Sequence, residues 1–144
     1  MIKYITGNIL ESDADVLVNP VNTKGVMGAG LALQFKRIYP GMFDSYASAC
    51  RNGSLRIGQI HIWQAPSGKI VINFPTKIDW RNPSKNEYIE KGLRALRAYL
   101  LENPRSCAVP PLGCGLGGLE WLEVKTLIED GLNGIDSKVY VYGP

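Results

Sequence analysis

The chain has 144 residues, which is the usual length of one domain, and we predict a single domain over 1–144. Apolar residues make up 45% of it, enough for a hydrophobic core and too many for a disordered segment. Sixteen Lys and Arg against thirteen Asp and Glu leave a net charge of +3. That balance permits an anionic ligand but falls short of the strongly basic composition of a dedicated duplex-DNA binder.

Membrane, secretory and zinc-binding classes are not indicated. No apolar run approaches the roughly 20 residues needed to span a bilayer, and the first residues lack the apolar stretch of a signal peptide. The three cysteines are widely spaced, and the one histidine forms no Cys/His pair at ligand spacing. We therefore expect a reduced, cytoplasmic protein without a disulfide framework, a metal, a cofactor or a membrane partner.

Short strand-like and helix-like segments alternate along the chain. The strand-like segments are rich in β-branched or aromatic residues and cover 2–6, 16–19, 59–64, 69–74, 106–109 and 138–142. The helix-like segments carry apolar residues at helical spacing and cover 31–38, 42–51, 89–100 and 120–132. Ser84 and Glu87 have the spacing of a capping box ahead of the third helix.

This order of elements predicts an α/β fold around a mixed six-stranded sheet, in which the third and fourth strands form an antiparallel hairpin. Ligands of such sheets bind outside the carboxyl ends of the strands. Seven of the sixteen glycines form two dense groups, at 25–30 and 113–118, and both groups follow predicted strands. We therefore expect both loops at the ligand-binding edge of the sheet.

The first glycine loop, 19–30, runs directly into a predicted helix. Glycines let backbone N–H groups approach a ligand closely, and a helix N-terminus adds partial positive charge. Asn22 in this loop has two interpretations, which its spacing alone does not separate. Its amide could read sugar hydroxyls, or it could form an Asx-turn with its own backbone.

The second glycine loop, 110–118, joins a predicted strand to the last helix in the same way. Two such loops facing one cleft could hold a diphosphate between them, whereas the simpler interpretation is a pair of connecting turns. Gly113, Gly115 and Gly118 also match the dinucleotide pattern G-x-G-x-x-G. We discount that match. The dinucleotide pattern opens the first βαβ unit of a doubly wound sheet, whereas only one strand is predicted to follow it here.

Five segments stand out along the chain, namely YITGNI, VNPVN, GVMGAGLALQF, NFPTK and PPLGCGLGGLEW. In sequence and in order they resemble the macrodomain family, especially its branch of terminal ADP-ribose glycohydrolase and the DarG antitoxins. The resemblance implies a three-layer α/β/α macrodomain that binds ADP-ribose. In this branch the reaction removes one ADP-ribose from a modified macromolecule. The substrate is ADP-ribosyl-thymidine in DNA for the DarG group and a carboxylate ester for the glycohydrolase.

The resemblance also implies which residues act. Lys77 matches the lysine on which catalysis depends, and Asn22 matches an asparagine beside the distal ribose. Asn8 and Ile9 fall in the adenine-recognising turn, and Tyr142 resembles an aromatic residue that packs against adenine. The remaining implied substrate-binding residues lie in or beside the two loops: Asn19, Met27, Gly28, Gly30, Leu112, Gly113, Cys114, Gly115, Leu116 and Gly117.

Two roles remain open for Lys77. Its ammonium could protonate or electrostatically stabilise the departing group, or the neutral amine could attack the anomeric carbon. Terminal ADP-ribose glycohydrolase pairs its lysine with an aspartate, and Gly117 occupies that position here. The departure disfavours a covalent path completed by that aspartate and favours a nucleic-acid substrate.

The segment 77–85 adds weak support for single-stranded DNA as a partner. It combines three cations with Trp80, which could contact phosphates and stack on an unpaired base, although it could equally be a solvated loop. DarG proteins also carry a domain that binds a toxin, so a toxin partner is conceivable here and unidentified. Other functions stay open: an ADP-ribose reader without turnover, and a hydrolase of ADP-ribose esters on proteins or of the metabolites ADP-ribose 1″-phosphate and O-acetyl-ADP-ribose.

Overall fold

A computed structural model describes all residues, 1–144, and the elements alternate as the sequence predicts. The six strands are β1 (Ile2–Ile5), β2 (Val16–Asn22), β3 (His61–Gln64), β4 (Ile70–Lys77), β5 (Cys107–Val109) and β6 (Val139–Tyr142). The four helices are α1 (Gly30–Ile38), α2 (Met42–Arg51), α3 (Asn86–Glu102) and α4 (Trp121–Gly131). A short 3-10 helix, Ile9–Glu11, follows β1. None of the helices has the length and apolar character that crossing a membrane requires.

The six strands form one mixed sheet in the order β1-β6-β5-β2-β4-β3. All neighbouring pairs are parallel except β3 and β4, which form the predicted antiparallel hairpin. Apolar residues of α3 and α4 form one core cluster against the sheet, and those of α1 and α2 form a second. The predicted α/β fold with three layers, helices over both faces of a six-stranded sheet, is therefore confirmed.

Strands β2 and β4 are longer than predicted, and both pass through a proline. Proline lacks a backbone N–H and normally ends the hydrogen-bond ladder between two strands. The sequence therefore predicts that these strands end at positions 19 and 74. In the structure the two strands stay paired up to Asn22 and Lys77, with an irregularity in the register between Val21 and Asn22. This extension brings Asn22 and Lys77 side by side at the same end of the sheet.

The predicted capping box at the start of α3 is wrong. The helix begins after Lys85, which makes no side-chain capping bond. The Ser84 hydroxyl instead donates to the carbonyl of Thr76, and the Ser84 N–H donates to Gly117 O at 2.9 Å. Ser84 is thus a link between the end of β4 and the second glycine loop.

A crevice opens where β2 and β5 separate. β5 pairs with β2 only at Val16 and Leu17, so the carboxyl half of β2 has no neighbour on that side. The chain leaves β2 toward β4 by way of α1 and α2, and it returns from β4 to β5 by way of α3 on the opposite face. Ligands of α/β sheets bind at such a reversal of strand order.

Candidate functional site

The crevice is a pocket of about 520 Å³, a volume within the range of small-molecule sites. It lies between the loop after β2, the end of β4 and the loop after β5. Nine predicted site residues line it, namely Asn22, Met27, Gly28, Gly30, Lys77, Gly113, Gly115, Leu116 and Gly117. The remaining lining residues are Pro20, Val21, Val26, Ala29, Leu31, Ala32, Thr76, Trp80, Pro110 and Pro111.

Asn22 organises the first loop. Its side-chain oxygen accepts hydrogen bonds from the N–H groups of Lys24 and Val26, and its Nδ2 donates to Val26 O at 2.8 Å. The Tyr46 hydroxyl donates to the Asn22 carbonyl at 2.6 Å, and burial holds the pKa of Tyr46 well above its usual value, so this donor stays protonated. These contacts support the Asx-turn interpretation of Asn22. A role toward ribose stays a prediction, for which one Nδ2 hydrogen is still free.

The start of α1 faces the pocket without a side-chain cap. Ala29 is the N-cap residue, and no side chain accepts from the first turn of the helix. The N–H groups of Gly30, Leu31 and Ala32 therefore have no acceptor within the chain. Unpaired N–H groups at a helix N-terminus, with the positive end of the helix dipole, form an anion-binding site.

The second loop presents another set of unpaired donors. Its internal bonds run from the N–H of Cys114 to Pro111 O, from Gly118 to Gly115 O and from Leu119 to Gly113 O. They leave the N–H groups of Gly115, Leu116 and Gly117 without an acceptor at the pocket wall.

The conformation of this loop requires glycine at two positions. Gly113 has a φ of +73°, which L side chains rarely adopt. A Cβ atom at Gly117 would lie 2.4 Å from Gly113 O, a backbone atom that cannot turn away. The loop can therefore present its N–H groups in this arrangement only when both residues are glycine.

Lys77 is the single ionisable side chain among the pocket-lining residues. It is half-buried at the carboxyl end of β4, opposite Asn22 in the sheet register. Its Nζ donates to the carbonyl of Trp80 at 3.2 Å, which keeps the amine at the mouth of the pocket. A lysine Nζ carries up to three hydrogens, so further donors remain for a ligand.

Six predicted substrate-binding residues lie outside the pocket lining: Asn8, Ile9, Asn19, Leu112, Cys114 and Tyr142. Asn19 and Leu112 are fully buried, so their side chains present no surface to a ligand in this conformation. The exposed Asn8 accepts a bond from Leu10 N and caps the 3-10 helix. Burial raises the pKa of Cys114 to about 11, so its thiol is protonated at neutral pH. The binding roles of all six remain predictions.

Sequence reasoning missed Ser84 as part of the site. Its two bonds tie the Gly117 carbonyl to the Thr76 carbonyl, and so they fix the second loop next to Lys77. A Cβ atom at Gly113 would lie 2.9 Å from Ser84 Oγ, which shows how closely the loop packs on this residue. No pattern marks such a contact, because it joins segments that are about 30 residues apart.

A chain of polar side chains runs from the buried Asn19 and Asn73 to the half-buried His61 and the exposed Ser45. Asn19 Nδ2 donates to Asn73 Oδ1 at 3.0 Å, and Asn73 Nδ2 lies 3.0 Å from His61 Nδ1. Because an amide NH₂ only donates, Nδ1 of His61 accepts, and its Nε2–H donates to Ser45 Oγ at 2.9 Å. This arrangement requires a neutral imidazole.

The free energy of unfolding should therefore fall below about pH 6.5 in a way that depends on His61. Burial lowers the pKa of His61 in the folded protein from its usual 6.5. The unfolded chain then binds the proton first as the pH falls, so stability is full above pH 6.5 and declines until the folded-state pKa is passed. Urea denaturation of the wild type and His61→Gln between pH 7.5 and 5.5 measures this, since His61 is the only histidine. An equal decline in both proteins would contradict it.

One crevice of this α/β domain thus brings together two glycine loops with unpaired N–H groups and one lysine. A family model described as "Macro domain" matches residues 18–128. The chain belongs to the macrodomain family.

Named relatives agree with this assignment. A protein of Thermus aquaticus named DNA ADP-ribosyl glycohydrolase is 45% identical over the whole chain. The solved macrodomain of Mycobacterium tuberculosis DarG superposes with a TM-score of 0.96 at 44% identity, covering 100% of this chain and 98% of that one. Thermosipho africanus DarTG, solved in complex with ADP-ribose, gives a TM-score of 0.92 at 34% identity, covering 99% of this chain and 41% of that one. The chain spans about two fifths of the length of the curated relatives named DNA ADP-ribosyl glycohydrolase, 41% in the Thermus protein.

Proposed function

We propose that this domain is an ADP-ribosyl glycohydrolase, with ADP-ribosyl-thymidine in single-stranded DNA as its substrate. The observation that carries the proposal is the isolation of Lys77. It is the one ionisable group among the pocket-lining residues, whose other polar side chains are those of Asn22, Thr76 and Trp80. The unpaired N–H groups of the two loops already provide for the phosphates, which leaves this amine available for the chemistry.

The two sets of unpaired N–H groups account for binding of the diphosphate. Those of the α1 start and those of Gly115–Gly117 flank the same crevice, so one pyrophosphate can accept from both. Bonds from N–H groups to a charged acceptor are the stronger kind, at about 1.5–3 kcal/mol each. The named relatives support ADP-ribose as the ligand, since one of them was solved with it bound.

Lys77 provides for the chemistry at the distal ribose. Breaking the glycosidic bond leaves positive charge on the anomeric carbon and negative charge on the departing base, and water supplies the hydroxyl that replaces the base. The ammonium of Lys77 stabilises the departing base and donates a proton to it. No Asp or Glu lines the pocket to complete a covalent path, which favours this role over nucleophilic attack.

The choice of a DNA substrate rests on Gly117 and on the relatives. Gly117 cannot carry the aspartate of the ester-cleaving branch without displacing the loop, because a side chain there meets Gly113 O. The relatives with 45% and 46% identity are named DNA ADP-ribosyl glycohydrolases. One relative is named as a fusion with a DNA ADP-ribosyl transferase, so we propose that a transferase of this class forms the substrate.

A substrate panel tests the proposal. Wild-type protein is incubated with an ADP-ribosylated thymidine oligonucleotide, an ADP-ribosylated glutamate peptide, ADP-ribose 1″-phosphate and O-acetyl-ADP-ribose, and release of ADP-ribose is followed. We expect the oligonucleotide to be cleaved with the highest kcat/KM. Faster processing of the peptide or of either metabolite would overturn the choice of substrate. Tight ADP-ribose binding with no turnover of any substrate would identify a reader.

A further inference from the structure

A rigid turn beside Lys77 holds an exposed indole at the pocket mouth. This turn, residues 78–81, follows directly on β4. Trp80 lines the pocket and is nevertheless 53% exposed, so a large apolar surface faces solvent at the edge of the site. None of the steps assigned to Lys77 or to the two loops uses this surface.

Several hydrogen bonds fix the turn in place. Asp79 accepts from the backbone N–H of Arg81 and, in a bidentate ion pair, from its guanidinium at 2.7 and 3.0 Å. The N–H and hydroxyl of Thr23 both donate to the Ile78 carbonyl. Together with the bond from Lys77 to the Trp80 carbonyl, these contacts pre-organise the turn. A ligand that binds to it would therefore lose little conformational entropy in ordering the turn.

The charges around the turn are positive. Lys24, Arg81 and Lys85 are exposed, and Lys24 is close enough to Asp79 to help lower the pKa of that carboxyl. The carboxylate of Asp79 is the acidic group of the turn, and its ion pair with Arg81 neutralises it. The Arg81 guanidinium also lies 5.5 Å from the centre of the indole ring. An aromatic plane among cations is the arrangement that binds single-stranded nucleic acid, by base stacking and phosphate contacts.

We propose that the turn 78–81 is a docking platform for the nucleotide next to the modified one in a single strand. The neighbouring base stacks on Trp80, and the strand's phosphates lie against Lys24, because the charge of Arg81 is already paired with Asp79. The inference rests on the proposed function, because it takes the leaving group in the pocket to be a base within a strand. An acidic peptide would use the same cations but would gain less from a planar ring.

The test compares two substrates that differ only in the flanking nucleotides: ADP-ribosyl-thymidine as a nucleoside and within a short oligonucleotide. For the wild type we expect kcat/KM for the oligonucleotide to exceed that for the nucleoside at least tenfold, as one stacked base provides. Trp80→Leu should lower this ratio at least about fivefold, to the part that the phosphate contacts provide, whereas Trp80→Phe, which keeps an aromatic plane, should preserve most of it. The ratio cancels any effect of either change on the chemistry itself.

The salt dependence of kcat/KM tests the phosphate contacts separately. Lys24→Gln should make kcat/KM for the oligonucleotide less salt-dependent, by about 0.7 of a unit of the log–log slope, and should leave the nucleoside unaffected. Arg94→Gln removes an exposed cation on α3 and serves as the matched control. Equal wild-type rates on both substrates, or an oligonucleotide preference that Trp80→Leu leaves unchanged, would overturn the platform and leave the glycohydrolase proposal standing. If the wild type cleaves neither the nucleoside nor the oligonucleotide, the proposed function itself is refuted. A wild-type preference for an ADP-ribosylated acidic peptide would assign the surface to protein.

Discussion

Replacing Lys77 with alanine should lower the rate of ADP-ribose release at least 100-fold and change ADP-ribose affinity only a few-fold. General acid catalysis by one positioned group contributes about 10²–10⁴ in rate, and no other ionisable side chain lines the pocket to substitute for it. The amine makes one exposed hydrogen bond, so its loss should not disturb the fold. Single-turnover kinetics and calorimetry with ADP-ribose separate the two effects.

Two further variants distinguish the roles open to Lys77. Lys77→Arg keeps the positive charge but supplies neither a ready proton nor a nucleophile, because a guanidinium stays protonated in proteins. Partial activity in Lys77→Arg would identify electrostatic stabilisation. If both variants are equally inactive, borohydride trapping of a covalent adduct in the wild type decides between acid and nucleophile. Lys91→Ala, an exposed lysine on α3, is the matched control. A Lys77→Ala protein that turns over at the wild-type rate would contradict the role of the amine.

Adding one methyl group at Gly117 should lower ADP-ribose affinity by about 10- to 100-fold. The new Cβ atom would lie 2.4 Å from the carbonyl oxygen of Gly113 and 3.0 Å from its Cα. Both are backbone atoms, so no side-chain rotation relieves the contact and the loop itself must shift. The N–H groups of the loop then no longer point into the pocket together. Losing one of them as a donor to a charged phosphate costs about 1.5–3 kcal/mol, which corresponds to this range.

Calorimetry with ADP-ribose measures the effect of Gly117→Ala. Gly143→Ala is the matched control, because a Cβ atom there would meet Trp121 at an ordinary 3.7 Å and lies far along the chain from both loops. Thermal denaturation of both variants checks that the fold is retained. Wild-type affinity in Gly117→Ala would show that the second loop does not hold the diphosphate.

The sequence predicts the two loops well because their requirements are local. Glycine at 113 and 117 is needed where the backbone has a positive φ or approaches itself closely, and such residues are visible in one sequence. The strand and helix periods likewise place Lys77 near the carboxyl end of a strand. Both features depend on neighbouring residues, and the structure places the loops and the lysine around one crevice.

What the sequence does not reveal depends on contacts between distant segments. Pro20 and Pro75 end strands by their local preference, yet pairing between β2 and β4 carries both strands past them. Ser84 has the spacing of a helix cap, but the carbonyl of Thr76 and the loop at Gly117 use its donors instead. Asn19 is predicted to bind the ligand, and its binding role stays a prediction, but no local pattern indicates that its amide donates to Asn73 in the core. In each case tertiary partners override a local rule.

The structure of the domain with ADP-ribose bound tests the account most directly. In that structure we expect the pyrophosphate to accept hydrogen bonds both from the start of α1 and from the loop 115–117. The anomeric carbon of the distal ribose should then lie about 3.5 Å from Lys77 Nζ, or from an atom that is hydrogen-bonded to Nζ. A pyrophosphate bound elsewhere, or an anomeric carbon on the opposite side of the crevice from Lys77, would contradict it.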